Sequence, residues 1–380
     1  MNVEQFQYHD KTGWVRPLYI QPNVDWVLVF GAKKLVETHA IMSVLDETFP
    51  NAIILVSSTS GEIHGNQTYD DSLSVSAVTF KKTTIKSIQL GLNDFSSNFM
   101  AGQTMANALK RDDLCHLFVI SDGVVTNATE LLAGIYSVIP KTIAVTGGLS
   151  GDGADFNESV LGLNGHYKPH QTCMIGFYGQ SLKIGYGSRG GWRPFGPKRS
   201  ITRADNNILY ELDKQAALDL YKLYTQDQEL NLPASGLLFP LSIYNQNSKQ
   251  KSLVRTVVGI NETENALIFA GDVPEGTVAQ MMHATTDDLI GGAIEAAESS
   301  MAMNPDPEFI ILVSCVGRKL IMGQQADEEI EEIAEIFSKS KNSIAGFYSY
   351  GELCPFDHQS NSVSLLHNQT MTITAMREIE

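Results

Sequence analysis

A chain of 380 residues, 43% hydrophobic and 18% charged, carries enough apolar material for more than one core, which predicts two domains. Its 27 Lys+Arg against 43 Asp+Glu leave a formal charge of -16, so nucleic acid and anionic membrane are poor partners. No apolar run approaches the length of a bilayer span, and the start MNVEQFQYHDKTG lacks the basic and apolar regions of a signal peptide. The four cysteines (Cys115, Cys173, Cys315, Cys354) are scattered without a C-x-x-C pair, which suits a reducing cytoplasm and argues against zinc.

In chain order, one pattern is written three times. An apolar strand WVLVFGAKK (Trp26 to Lys34) leads into the amphipathic LVETHAIMSVLDETF and a second strand, AIILVSSTSGE, closing at Gly61-Glu62. HLFVISDG (His116 to Gly123), TNATELLAGIYSVI and TIAVTGGLSGD repeat it, closing at Gly151-Asp152. FIILVSCVGRK (Phe309 to Lys319), ADEEIEEIAEIFSK and SIAGFYSYGE repeat it again, closing at Gly351-Glu352. Val27 to Gly61 and Leu117 to Gly151 are equally spaced, and Ile310 to Gly351 is longer by about two helical turns. Each copy is followed by an alternating apolar run: SLSVSAVTF, QTCMIGFYG and NQTMTITAM. Matched spacing with matched punctuation predicts a repeated β-α-β-β module, hence an α/β fold with mixed sheets.

The connecting segments carry their own signals. Residues 92–112 predict a helix starting near Ser96 or Ser97, with Phe99, Met105, Ala106 and Leu109 on its apolar face. Residues 181–202 begin as an alternating strand and end in Gly and Pro turns. Residues 205–224 place Ile208, Leu209, Leu212, Ala216, Leu220 and Leu223 at helical spacing behind a candidate N-cap, Asp205. A polar break at Gln226 to Leu232, a strand PLSIY, a hairpin-like turn at Asn245 to Lys251, two strands (SLVRTVVGI, ALIFAG) and a helix from Thr286 to Met301 complete the reading. The domain boundary is placed near 225.

Taken in order, SSTSGE (57–62), ISDG (120–123), TGGLSGDG (146–153), GSRGGWRPFGP (187–197), RTVVGIN (255–261), GDVPEG (271–276), SCVGRK (314–319), GFYSYGE (346–352) and HNQTMT (367–372) resemble the FIST sensory domain. The match runs from about Val24 to about Met371, with a FIST N half at 24–224 and a FIST C half at 225–371. The resemblance implies a non-enzymatic input module of intracellular signalling that binds a small, amino-acid-like molecule. Because both ends of the chain close on the module, the expected output partner is a separate protein, a histidine kinase or a cyclic-dinucleotide enzyme. In this the chain is similar to the nitric-oxide-sensing haem proteins that regulate histidine kinases.

Ligands gather at strand ends in α/β sheets, so the acids of the three corners, Glu62, Asp152 and Glu352, are candidate ligand contacts. Equally, the glycines can supply positive φ at a strand exit while the acids cap neighbouring amides. Arg189-Gly190-Gly191-Trp192-Arg193 combines two guanidinium groups with an indole, chemistry suited to a zwitterion or to Arg–Trp stacking at a domain seam. Arg318 follows the first strand of the third copy, and Tyr348 and Tyr350 share one strand face beside Glu352. These residues are expected to border one cleft between the halves. TGGLSGDG is followed by no convincing helix, which disfavours a dinucleotide loop. Haem, implied only by the resemblance, would be held non-covalently by a lone His or Cys; His64, just past the first corner, is the named candidate among His39, His116, His283, His367 and Cys354. The alternatives to a sensor are a cysteine-dependent hydrolase using Cys315 and a ligand-free interaction scaffold. No G-x-S-x-G elbow is present.

Overall fold

Each of the three sequence copies folds as a parallel strand–helix–strand unit closed by an antiparallel third strand in a computed structural model that describes residues 1–225, 234–244, 252–356 and 363–379. In the first module Trp26–Gly31 and Ile53–Ser58 run parallel, and Ser72–Thr79 returns antiparallel to Trp26–Gly31. In the second the corresponding strands are Leu114–Ser121, Ala144–Leu149 and Gln171–Tyr178. In the third they are Phe309–Cys315, Ser343–Ser349 and Met371–Glu378. An outer strand borders each third strand: Asn2–His9, Thr84–Gly91 and Leu182–Arg189 respectively. In the third copy the helix after the first strand, Val316–Met322, is longer than its counterpart Lys33–Val36 in the first and is joined to Ala326–Ile336 by a 3-10 turn, Gly323–Gln325.

The modules exchange strands in a cycle. After its second strand, each chain segment leaves its own sheet and forms a short strand on another. Glu62–His64, from the first module, pairs with Ser343–Ser349 of the third. Gly351–Pro355, from the third, pairs with Ala144–Leu149 of the second. Leu161–Leu163, from the second, pairs with Ile53–Ser58 of the first. All three Gly-acid corners therefore occupy one topological position, the crossing from one sheet to the next. Gly61 alone of the three glycines has a positive φ, 130°.

The three sheets enclose a common core. Trp26 is fully buried at its centre and meets Phe118, Phe177 and Phe309 edge-on at 5.8, 5.4 and 6.3 Å, so one indole contacts all three sheets. Phe30 stacks on Phe347 at 4.4 Å across the same core. Helices cover the outer faces: His39–Thr48 on the first sheet, Asn98–Leu109 and Ala128–Tyr136 on the second, Thr286–Met303 and Ala326–Ile336 on the third. Strands buried on both faces read as near-continuous apolar runs, which is why the copies stand out in the sequence. The helix expected after Ser96 or Ser97 is Asn98–Leu109, and the Ser97 side chain accepts from Met100 N as its N-cap.

A fourth sheet lies in the chain between Arg189 and Thr286. Its strands run Leu253–Arg255, Leu241–Tyr244, Val278–His283, Arg193–Asp205, Ile208–Leu212, Ala266–Phe269 and Val257–Asn261, with helix Ala217–Thr225 packed on its core. Here the helix expected over 205–224 is corrected. Only its second half is helical; Asp205 ends a strand, and 206–216 form hairpins. Asn206, Asp213 and Lys214 adopt positive φ at the turns, a conformation that interrupts a helix and that Asn and Asp tolerate best. The apolar periodicity of Ile208, Leu209 and Leu212 serves a strand packed against Ile268 and Leu267 instead. The turn expected at Asn245 to Lys251 and the break at Gln226 to Leu232 lie outside the described residues. No helix among the described residues is long and apolar enough to cross a membrane.

Candidate functional site

In each module the chain turns sharply as it leaves the first strand, above the carboxyl ends of the parallel pair, the position where α/β sheets collect ligands. The three corners have the same topology and three different linings. One is apolar and open, one polar, and one is filled by the protein itself.

The apolar corner belongs to the second module. Buried Asp122 follows strand Leu114–Ser121; its Oδ1 accepts from Val124 N (2.8 Å) and Val125 N (3.0 Å), and its Oδ2 from His170 N (3.0 Å). Gly123 lies so close to the Ser150 carbonyl that a Cβ would sit 1.8 Å from it, so no larger residue fits there. The tight turn holds Val124 and Val125 outward, 42% and 40% exposed. They face Val258 (39% exposed) and the loop 269–272 of the fourth sheet, over a floor of Leu149, Tyr350 and Leu366. Phe156, 41% exposed, stacks on Tyr350 at 4.3 Å and closes one side. The cavity measures about 440 Å³. Four of the large apolar side chains left exposed by the fold thus border one seam, which is where a binding surface is expected. Its polar groups are Asn127, which caps Glu130 N (3.1 Å), and Asp272, 3.4 Å from the Asn127 amide. A second cavity of about 570 Å³ adjoins it through shared Asp272 and Leu366, between helix Ala128–Tyr136 and the strands Leu241–Tyr244 and Leu253–Arg255.

The polar corner belongs to the first module. Glu62 and Asp152 line one cavity of about 390 Å³ with Lys33, Lys34, Asp70 and Asp71. Glu62 itself is buried: Oε1 accepts from Thr59 Oγ1 (2.6 Å) and Oε2 from Ser72 N and Oγ (3.2 and 2.7 Å). Burial raises its carboxyl to about 7. Glu352 is its structural twin, accepting from Ser349 Oγ (3.0 Å) and from Thr370 N and Oγ1 (3.1 and 2.7 Å), and burial raises it to about 8. Both acids fasten the start of their module's third strand to the crossing, and Glu352 borders none of the described cavities. Asp152 departs from the pattern. Its Oδ2 accepts from Asn157 N (3.0 Å) and Glu158 N (2.8 Å), and Oδ1 from the Tyr350 hydroxyl.

The third corner is occupied by Arg318. Its guanidinium is fully buried, paired with Glu329 and donating to the carbonyls of Gly190 (2.7 Å), Leu289 (2.8 Å) and Gln369 (3.4 Å). The same carbonyl of Gln369 accepts from Trp192 Nε1 at 2.9 Å. Gly191, at φ 75°, lies against the start of helix Thr286–Met303, where a Cβ would come within 1.8 Å of Asp288 O. Arg193 pairs with Asp288, and Arg189 donates to Ser188 O (2.7 Å) with Glu295 at 3.8 Å. Tyr348 is buried beneath Lys319, whose Nζ lies 5.3 Å from the ring centre. The structure therefore gathers Arg189, Gly190, Gly191, Trp192, Arg193 and Arg318 at one seam, and brings Tyr350 to the apolar cavity and Glu62 with Asp152 to the polar one. Asn127, Val258, Arg255 and Asp272 were not singled out by sequence reasoning; Arg255 and Val258 lie in RTVVGIN and Asp272 in GDVPEG, two of the family-like segments, whereas Asn127 carried only the mark of an N-cap residue.

His64 Nδ1 is bonded to Ser74 Oγ (3.0 Å), and burial lowers its imidazole to about 4. No histidine or cysteine lines any of the described cavities, and no cluster of three metal-ligating side chains occurs among the described residues, so these residues do not fit a haem. Cys315 is buried, and desolvation pushes its thiol far above the ordinary range, the opposite of what a thiolate nucleophile requires.

Comparison with known proteins adds two findings. The FIST N domain model matches residues 25–215 and the FIST C domain model residues 217–355. An uncharacterized protein of Methanocaldococcus jannaschii, MJ1623, is 22% identical over 262 residues, covering 62% of this chain and 49% of that protein. The chain thus spans about half the length of this curated relative.

Proposed function

The chain belongs to the FIST family, whose domains are associated with small-ligand sensing in signal transduction, and on that premise we propose that it is a cytoplasmic sensor, its ligand held at the seam between the FIST N and FIST C segments. The observation that carries this reading is the cavity of about 440 Å³ bordered by Val124, Val125 and Phe156 from one segment and Val258 with 269–272 from the other. A ligand there touches both segments, so it biases their arrangement in proportion to its differential affinity for two states. The readout is altered docking on a separate signalling protein, of which a histidine kinase is the first to test. A net charge of -16 favours a basic face on that partner. No catalytic step is assigned.

The test is a thermal-shift screen of small metabolites against the wild type and Val258→Trp, which fills the cavity from its rim. A ligand that raises Tm in the wild type only, and then changes kinase autophosphorylation, supports the sensor. Equal shifts in both proteins remove the ligand from this seam. Unchanged kinase rates at saturating complex leave only a scaffold.

A further inference from the structure

The buried guanidinium of Arg255 makes no direct contact with an acid; the charge of Asp272 reaches it only through space. Its side chain is 5% exposed, and its hydrogen bonds all go to backbone carbonyls: Nε to Asp272 O (3.1 Å), Nη1 to Val254 O (3.2 Å) and Leu366 O (3.1 Å). Among the described residues Arg255 forms no ion pair, and its Nη2 makes no hydrogen bond. The contrast with Arg318, equally buried and paired with Glu329, is direct. Buried charges are ordinarily paired, because a lone one loses its hydration without an opposite charge to replace it. The one side of Arg255 that is not occupied by backbone faces the cavity of about 570 Å³ that it helps to line.

That cavity has the remaining features of an amphipathic anion site. Leu132, Ala133, Ile243, Leu253, Leu365 and Leu366 make its wall apolar, and Lys141 adds a second positive charge. The free Nη2 donors match a carboxylate oxygen, to which a guanidinium gives a charge-assisted hydrogen bond. The volume falls in the range of pockets that enclose a small organic molecule. Asp272, shared with the adjoining cavity, is available to an ammonium group where the ligand carries one.

We propose that this chamber binds a small carboxylate with an apolar body, its carboxylate on Arg255 and its hydrocarbon against helix Ala128–Tyr136. The inference rests on the sensory reading above and extends it to the second chamber of the same seam, adjoining the cavity at Val258. Binding would join the strand Leu253–Arg255 to the second module's helix across the seam, the two surfaces whose arrangement a sensor must couple.

The experiment uses the full chain and isothermal titration with three probes: 4-methylpentanoate, its uncharged amide, and leucine. The carboxylates are expected to bind saturably, and the amide at least tenfold more weakly. Arg255→Gln is expected to erase that preference; because loss of three backbone contacts can unfold the protein, Leu132→Trp, which fills the cavity from the helix side, is the second variant and is expected to abolish binding. Tighter binding of leucine than of 4-methylpentanoate assigns Asp272 to the ammonium, and the reverse assigns a simple acid; both support the carboxylate site. Equal affinities for acid and amide, a preference that survives Arg255→Gln, or no binding of either carboxylate overturns it. If the carboxylates fail while a metabolite from the screen still requires an unfilled Val258 rim, the sensor stands without this ligand class; if nothing binds, both fall.

Discussion

The phenol of Tyr350 and the carboxylate of Asp152 meet across the seam between the third and second modules. The Tyr350 hydroxyl donates to Asp152 Oδ1 and accepts from Asp152 N (3.2 Å) and Phe156 N (3.1 Å), while its ring floors the apolar cavity beneath Phe156. One side chain therefore fastens two corners and positions a cavity wall.

Tyr350→Phe keeps the ring stack but leaves two backbone donors without an acceptor. The expected cost is about 1–3 kcal/mol in urea unfolding, together with weaker binding of any ligand that stabilises the wild type. Unchanged stability and unchanged binding would show that the loop 152–156 holds its place without the phenol.

Arg318→Met strands Glu329 in the protein interior and is expected to cost about 3–5 kcal/mol. The double variant Arg318→Met with Glu329→Leu removes both charges and is expected to be more stable than the single one. A double-mutant cycle by chemical denaturation reads the difference; additivity of the two losses contradicts the pairing.

Glu352 and Glu62 give stability a pH dependence of known sign. Their folded carboxyls are raised by burial to about 8 and about 7, above the ordinary glutamate value of 4.5, so they contribute stability that is complete below pH 4.5 and lost as pH rises through those values. His64 and His367, lowered by burial to about 4, act in the opposite direction, but only below about pH 6.5. Between pH 6.5 and 8 the acids act alone. Over that window Glu352→Gln is expected to remove a decline of about 2 kcal/mol. Parallel stability curves for wild type and variant at pH 6.5, 7.2 and 8 would refute the assignment.

Trp26→Phe separates packing from hydrogen bonding at the central core. The indole nitrogen of Trp26 is buried without a partner, so the smaller ring removes an unsatisfied donor as well as volume. The expected loss is under about 1.5 kcal/mol, against about 3–5 kcal/mol for Trp26→Ala. Calorimetry on both variants checks the ratio.

The repeated module was legible because strands covered on both faces leave unbroken apolar runs, and the crossings between sheets need small residues before an acid. What the runs could not convey is which sheet each short strand joins. Glu62–His64 carries no mark of its pairing with Ser343–Ser349, since that choice is made by the packing of all three sheets. The hairpins at 206–216 were hidden for a related reason. Ile208, Leu209 and Leu212 fit both a helix stripe and an irregular strand, and turn residues at Asn206 and Asp213 decided between them. At the site, Arg318 and Trp192 drew notice as charge and aromatic surface. Their solvent exposure is a property of tertiary structure, and Arg318 has none.

The exchange of strands among the modules sets an order of events for a chain emerging from the ribosome. The second sheet lacks the edge strand Gly351–Pro355, and Glu62–His64 lacks its host Ser343–Ser349, until the last tenth or so of the protein is being made. Neither family-matched segment, 25–215 or 217–355, contains every strand that its own sheets use. Such a nascent chain holds open sheet edges for a long time, the condition under which strands find wrong partners. A fragment ending before residue 343 is thus expected to need a chaperone where the whole chain does not, and splitting the gene at the boundary between the two segments would yield two insoluble pieces rather than two domains.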